Sequence, residues 1–340
     1  MVNVGVIGLG MMGNTHLDIY ARRDDVNIVA ISDANPARLA GEEKAGGNIE
    51  GQARGEADLS GVKRYADAME LIHDTDVELI DICLPTPLHR RFGTAAIATG
   101  KHVMLEKPLA RTAADAMALA DAAAEAEGVV MVGMCMRFWP GWSWLKHAID
   151  RQTFGRTLGV HFTRVAQHPG GGFYLDGQAN GGALLDLHVH DTDFVKHCFG
   201  MPRGVFTTGY RKLTSEPDHV ATHYLYDGGP SLTAEGGWAM ADGFGFRMRF
   251  VANFERATAV FDIDAASPLM LYHEGNGEPV ALEPGMGYEH EIAYMLDCLH
   301  RGERPEVVSV RDAAESIRII EAEAESLETR RVVSLEATGS

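Results

Sequence analysis

A chain of 340 residues exceeds one ordinary core and suits two, at roughly 150 residues per domain. Its 46% hydrophobic and 23% charged residues are the balance of a folded globular protein. Thirty Lys and Arg against 48 Asp and Glu give a net charge of −18, which repels phosphate backbones and argues against a nucleic-acid partner.

Val2–Ile7 is an apolar run, followed by a helical pattern over about Met11–Arg22 and by apolar Ile28–Ser32. Between them stands Gly8-Leu9-Gly10-Met11-Met12-Gly13, a GxGxxG directly after a strand and opening a helix. Gly8 allows the tight turn, Gly10 lets a pyrophosphate approach the backbone, and Gly13 lets helix pack on strand. The amides of Met11 and Met12 at the helix start suit phosphate oxygens. Asp33, 20 residues after Gly13, is placed to accept the adenosine ribose hydroxyls and to repel a 2′-phosphate. NAD is therefore expected, with Arg38 leaving NADP open. The alternative is glycines serving a tight turn with no ligand. The Gly- and Glu-rich stretch between Ala40 and Gly61 lacks periodicity after Lys44 and reads as a flexible surface loop.

Val77–Leu84 runs apolar without alternation, as a parallel strand buried on both faces requires. A helical pattern near Leu88–Thr99, a strand at His102–Leu105, an Ala-rich helix capped by Thr112 and ended by Gly128, and a strand at Val129–Met134 follow. This alternation predicts a doubly wound α/β domain over 1–135. Beyond Pro140 come a helix at Trp142–Arg151 and strand-like segments at Leu158–Val165, Gly204–Leu213, Ala221–Tyr226, Ser231–Trp238, Phe246–Val251, Ala257–Asp262 and Leu269–Tyr272. Turns at Asp227-Gly228-Gly229 and Asn276-Gly277 separate some of them. One long helix is expected at Gly182–Phe199, and two more at Tyr288–Arg301 and Val310–Thr329, the last of which can pack back on the first domain. Residues 136–340 thus read as an α+β domain with a large, mostly antiparallel sheet open on one face.

Ligands of doubly wound sheets lie beyond the C-terminal strand ends. One such end carries Leu84-Pro85-Thr86-Pro87-Leu88-His89, where Thr86 and His89 offer polar groups; another carries Glu106-Lys107-Pro108. A lysine flanked by an acid and a rigid proline is aimed at the ligand, unless it forms an ordinary strand-end salt bridge. On the predicted long helix, Asp186 and His190 are i and i+4 and share a face, so the carboxylate can raise the basicity of the imidazole. His188 points roughly 160° away, so no metal is expected from this pair of histidines. The plain alternative is an acid-rich helix turn with its histidines satisfied by packing. Trp139, Trp142 and Trp144 crowd one segment; aromatic faces suit sugar rings, though core packing is the commoner use. Four separated cysteines (Cys83, Cys135, Cys198, Cys298), no apolar run of membrane length and no signal-peptide pattern after Met1 fit a soluble cytoplasmic protein.

Together these motifs resemble the Gfo/Idh/MocA oxidoreductases over nearly the whole chain. The resemblance rests on the GxGxxG start, Cys83–His89, Glu106-Lys107-Pro108, Gly181–Asp186 and the closing helix at Ser309–Ala313. It implies a Rossmann domain and a sheet domain whose open face packs in a homodimer or homotetramer. It implies Lys107, Asp186 and His190 as catalytic residues, a cis Lys107–Pro108 bond, and cofactor contacts that include Leu84, Pro85, Glu106 and Arg137. Trp139, His168, Phe173, Tyr174 and Trp238 are expected near a sugar or polyol substrate. Met136 and Trp139 depart from the family's arginine and acid, which argues against inositol itself. The activity expected is oxidation of a secondary hydroxyl by nicotinamide. A redox-assisted glycosidase on the same scaffold is the alternative, and a non-catalytic NAD sensor a further one.

Overall fold

The computed structural model describes residues 1–43 and 57–336; most of the Gly-rich stretch, 44–56, lies outside them. The chain forms two compact units, one of Met1–Cys135 with Tyr288–Glu315, the other of Met136–Gly287 with Ser316–Ser340. The chain therefore returns to the first unit over Tyr288–Glu315, whereas the linear reading ends the first domain at 135 and brings only the 310–329 helix back to it.

The first unit contains β1 (Val2–Ile7), α1 (Met11–Tyr20), β2 (Val26–Ser32), α2 (Pro36–Ala40), β3 (Lys63–Tyr65) and α3 (Ala68–His73). It continues with β4 (Leu79–Ile82), α4 (His89–Ile97), β5 (His102–Glu106), α5 (Ala113–Ala124) and β6 (Val130–Gly133). The strands pair in parallel in the order β3-β2-β1-β4-β5-β6. Val4, Val6, Leu79, Ile80, Val103 and Leu105 are wholly buried, which is why these runs show no polar alternation. Asn35, Asp67 and Thr112 cap α2, α3 and α5 through their side chains; Thr112 accepts the Asp115 amide at 3.1 Å, as expected.

In the second unit α6 (Pro140–Asp150) precedes β7 (Thr157–Gln167), then α7 (Gly172–Leu175), α8 (Gly177–Asn180), α9 (Gly182–Asp186) and α10 (Val189–Phe199). Strands β8 (Gly204–Tyr210), β9 (His219–Leu225), β10 (Ser231–Met240), β11 (Phe246–Phe254), β12 (Thr258–Asp262), β13 (Leu269–His273) and β14 (Asn276–Pro279) follow. Helices α11 (Gly287–Arg301) and α12 (Val310–Thr329) and the short β15 (Val333–Ser334) close the chain. The nine-stranded sheet runs β14-β13-β12-β11-β7-β10-β9-β8-β15, antiparallel except where β7 meets β10.

One face of that sheet is the core. Trp142 of α6 lies edge-on to Phe194 of α10 and to Phe250 and Phe261 of the sheet, at 6.4, 5.1 and 4.7 Å between centroids. Two buried bidentate pairs hold α10: Arg164 with Asp191 and Arg137 with Asp193, the latter also receiving the Ser316 hydroxyl at 2.8 Å. On the strands, Leu158, Val251 and Tyr272 are exposed by 44–47%.

The last hairpin corrects a sequence expectation. His273 pairs with Asn276, so its two-residue turn is Glu274-Gly275, both at positive φ (50° and 78°), and Asn276-Gly277 lies in a strand. Gly275 supplies the left-handed residue the turn requires. Gly277 leaves room for the Tyr272 ring, which a Cβ there would meet at 2.7 Å.

Candidate active site

The glycine loop is built as its spacing predicts. Gly8 sits at φ +94°, with Cys83 O only 2.5 Å from where a Cβ would be. A Cβ on Gly13 would lie 1.8 Å from Gly8 O, so helix and turn meet backbone to backbone. Around Gly10 nothing lies within 4 Å of such a Cβ, and no side chain caps α1. An open approach to an uncapped helix N-terminus, with Met11 and Met12 half-exposed, fits a dinucleotide pyrophosphate. Asp33 closes the loop: Oδ2 accepts the Leu9 amide and Oδ1 the Asn35 amide, both at 2.7 Å. A carboxylate retains lone pairs beyond those two bonds. Arg38 donates Nε to Glu43 at 2.9 Å, and that hydrogen bond holds the Glu43 carboxyl below its ordinary range. An ionised Glu43 on Arg38 disfavours a 2′-phosphate there.

Leu84 and Pro85 lead into a tight turn at Thr86–Leu88, where the Thr86 side chain is buried. His89 is wholly buried, with Nδ1 2.9 Å from Pro108 O and Nε2 2.7 Å from Leu84 O. Burial pushes its pKa down. Both ring nitrogens face backbone carbonyls, and the neutral imidazole donates its one N–H to one of them, so His89 ties together the strand ends at Leu84 and Pro108. Lys107 follows β5 directly, half-buried, with its backbone amide donated to Glu106 Oε2 at 2.9 Å and a cis bond to Pro108.

In the second unit the predicted single helix is broken. Leu187 and His188 both donate backbone amides to Ala183 O, and His190 donates to Leu187 O, which separates α9 from α10. Asp186 ends α9 and His190 lies in the first turn of α10, so the i,i+4 argument for their pairing does not apply. His188 explains the break: it is wholly buried, with Nε2 3.3 Å from the Tyr224 hydroxyl and 3.7 Å from Glu323 Oε2. Gly236 makes room for it, since a Cβ there would meet His188 Nδ1 at 2.5 Å. Burial lowers the His188 pKa to about 3 and raises that of Glu323 to about 8, so at neutral pH both are uncharged.

That pair gives a pH signature. Glu323 keeps its proton in the folded chain and loses it in the unfolded one between the ordinary carboxyl range and about pH 8, so its contribution to stability declines as pH rises through that window. The whole contribution is at most about 5 kcal/mol. Thermal melts should show the difference between wild type and Glu323→Gln shrinking steadily from pH 5 to 8.5; a constant difference would exclude a neutral Glu323.

Arg137 is buried and bidentate to Asp193. Trp139 is 7% exposed and precedes α6; Trp142 is fully in the core. His168, Tyr174 and Trp238 come together, with Trp238 edge-on to both at 5.5 and 5.9 Å and Phe173 beside Tyr174. Trp238 lies in β10, 2% exposed, with its indole N–H on Asp218 at 2.9 Å. Burial alone would raise the Asp218 pKa, but amides of Leu213, Lys212 and Thr214 and the Trp238 N–H hold it at about 2. Trp238 is therefore an anchored wall for His168 and Tyr174 rather than an open stacking face.

Fold and loop define a dinucleotide-binding Rossmann protein with an appended sheet unit. Residues 2–134 match the Gfo/Idh/MocA oxidoreductase family's NAD-binding Rossmann fold and residues 142–260 the family's C-terminal domain; the chain belongs to that family. Myo-inositol 2-dehydrogenase of Thermotoga maritima is 30% identical over 200 residues, 58% of this chain and 55% of that protein. Inositol 2-dehydrogenase 2 of Saccharopolyspora erythraea is 28% identical over 230 residues, 66% and 62% of the two chains. Levoglucosan dehydrogenase of Pseudarthrobacter phenanthrenivorans is 30% identical over 213 residues, 58% and 51%. The chain thus spans about half to three-fifths of the length of these relatives. A solved levoglucosan dehydrogenase, in complex with NADH and levoglucosan, shares the fold at a TM-score of 0.85 and 22% identity, covering 99% of this chain and 100% of that one. Among the described residues no helix is long and apolar enough to cross a membrane.

Proposed function

We propose that this chain is an NAD-dependent dehydrogenase acting on a secondary hydroxyl of a sugar, sugar derivative or polyol. The observation that carries the reading is the first unit's combination of an open glycine loop with Lys107 at the C-terminal end of β5, the sheet edge at which such folds receive ligands. Membership of the family, and relatives named as inositol and levoglucosan dehydrogenases, support the substrate class.

The amides of Gly10, Met11 and Met12 would hold the pyrophosphate, Asp33 the adenosine ribose, and the Leu84–Thr86 strand end the side of the cofactor. NAD, when bound, supplies the hydride acceptor. His190 takes the hydroxyl proton while the C–H electron pair leaves as hydride, giving the ketone. Asp186 orients the imidazole, and Lys107 donates a hydrogen bond to the developing alkoxide. Arg137 supports the cofactor side through its buried pair, and Trp139, His168 and Phe173 border the substrate. The same reading extends to a homodimer or homotetramer through the sheet face carrying Leu158, Val251 and Tyr272, and to the reducing cytoplasm, which suits four free thiols.

The test is an absorbance screen at the NADH band with monosaccharides, inositols, anhydrosugars and aryl glycosides, each with NAD and with NADP. Substrate-dependent NADH formation, faster with NAD than with NADP, is expected. Aglycone release without NADH accumulation would contradict the dehydrogenase reading and favour redox-assisted glycoside cleavage.

A further inference from the structure

Behind the Glu106–Lys107 strand end, four titratable side chains from four elements meet. His16 of α1, Asp81 of β4 and Glu291 of α11 are wholly buried, and Glu106 of β5 is 4% exposed. His16 Nδ1 lies 2.8 Å from Asp81 Oδ2, which also accepts the Tyr20 hydroxyl at 2.9 Å. Cys83 Sγ is 3.5 Å from both His16 Nδ1 and Asp81 Oδ1. His16 Nε2 faces Glu106 Oε1 at 3.3 Å without hydrogen-bond geometry, while Glu106 Oε2 accepts the Lys107 amide. Glu291 places an oxygen within 4.8 Å of both His16 and Glu106, and neither of its oxygens has a hydrogen-bond partner.

With every group ionised, one imidazolium would face three carboxylates, a net buried charge of −2 that solvent does not screen. One proton on a carboxyl group relieves it. Asp81 accepts from Tyr20 and sits on His16, and Glu106 accepts an amide, so both are served as anions. Glu291 receives no hydrogen bond at all. It is the group that keeps the proton.

We propose that Glu291 is a positioning residue for the chemistry assigned to Lys107: as a neutral acid it fills the space against His16 and Glu106, leaving Glu106 free as the carboxylate that fixes the Lys107 backbone. Burial, then the charges of Glu106 and Asp81, push the Glu291 pKa well above the carboxyl range, against the opposing pull of His16 and Lys107. His16 is held well above its ordinary value because Asp81 and Cys83 outweigh its burial.

The kinetic arm of the test rests on the dehydrogenase reading; the spectroscopic arm does not. Infrared spectra of the full-length protein at neutral pH should show neutral carboxylic-acid absorption that falls in Glu291→Gln, separately from the loss in Glu323→Gln. Turnover should stay within about threefold of wild type in Glu291→Gln, which mimics the neutral acid, and fall about tenfold or more in Glu291→Ala with NAD affinity unchanged. An unchanged spectrum in Glu291→Gln, equal loss in the Gln and Ala variants, wild-type turnover in the Ala variant, or a stoichiometric divalent cation by elemental analysis would each overturn the proposal. If Glu291→Ala does not fold, the infrared difference and the Gln kinetics decide. If no substrate reduces NAD, the dehydrogenase reading fails and the infrared difference alone decides the state of Glu291.

Discussion

Lys107→Met should lower turnover about 10³-fold while leaving NAD affinity within about twofold of wild type. Methionine nearly matches the length of the lysine stem, so the substitution removes the charge and the donors and little else. The backbone at 107 is fixed independently of the side chain, through the hydrogen bond its N–H donates to Glu106 Oε2 at 2.9 Å and the neighbouring proline, so the strand end should not move. The groups assigned to the pyrophosphate and ribose lie at Gly8–Gly13 and Asp33 and do not include Lys107. Lys107→Arg should rescue poorly, because a planar guanidinium on a longer stem places its donors elsewhere. Steady-state turnover and calorimetric NAD titration on the same preparations check both halves. Near-normal turnover in Lys107→Met would remove this residue from the chemistry; loss of NAD binding would make it a cofactor ligand instead.

Gly13→Ala and Gly10→Ala should fail in opposite ways. At Gly13 the new Cβ would lie 1.8 Å from Gly8 O and 2.9 Å from its carbonyl carbon. No rotamer relieves a clash made by Cβ itself, so the turn must separate from α1. A stability loss of about 3 kcal/mol or more is expected, together with loss of NAD binding. At Gly10 φ is −76°, which alanine adopts without strain, and the Cβ meets nothing within 4 Å. Thermal stability should be retained there, but the methyl occupies the approach a pyrophosphate needs, and NAD affinity should fall at least tenfold. Melting curves and NAD titrations of both variants check the pair. A stable Gly13→Ala would mean that the helix–turn contact is not as close as described. Unchanged NAD binding in Gly10→Ala would mean that the cofactor does not cross this loop.

The contrast between those two glycines was legible in the sequence because the constraint is local: a strand, six residues and a helix specify it. So were the strand runs of the first sheet, whose continuous apolar character reflects burial on both faces, and the last long helix, found at Val310–Thr329 as expected. What escaped has its causes far along the chain. The break between α9 and α10 follows from seating His188 against Tyr224, Glu323 and Gly236, none of which is near it in sequence. Leu187 and His188 carry no helix-breaking signal of their own. The role of His89 depends on a carbonyl 19 residues away. Glu291 looks like an ordinary acid on an amphipathic helix, and only the fold brings it to His16 and Glu106. The hairpin at Glu274-Gly275 was displaced by the stronger local signal of Asn276-Gly277, which Tyr272 uses for packing instead.

Hydride transfer is the central claim, and following the hydrogen tests it most directly. The panel substrate that gives NADH should be prepared with deuterium at its hydroxyl-bearing carbons and mixed with the protein and NAD, and the nicotinamide product analysed by mass spectrometry. One deuterium transferred as deuteride per ketone formed, with a turnover slower than for the unlabelled substrate or equal to it, is the predicted result. A ketone or a cleaved glycoside formed with no deuterium in the released NADH would contradict the account.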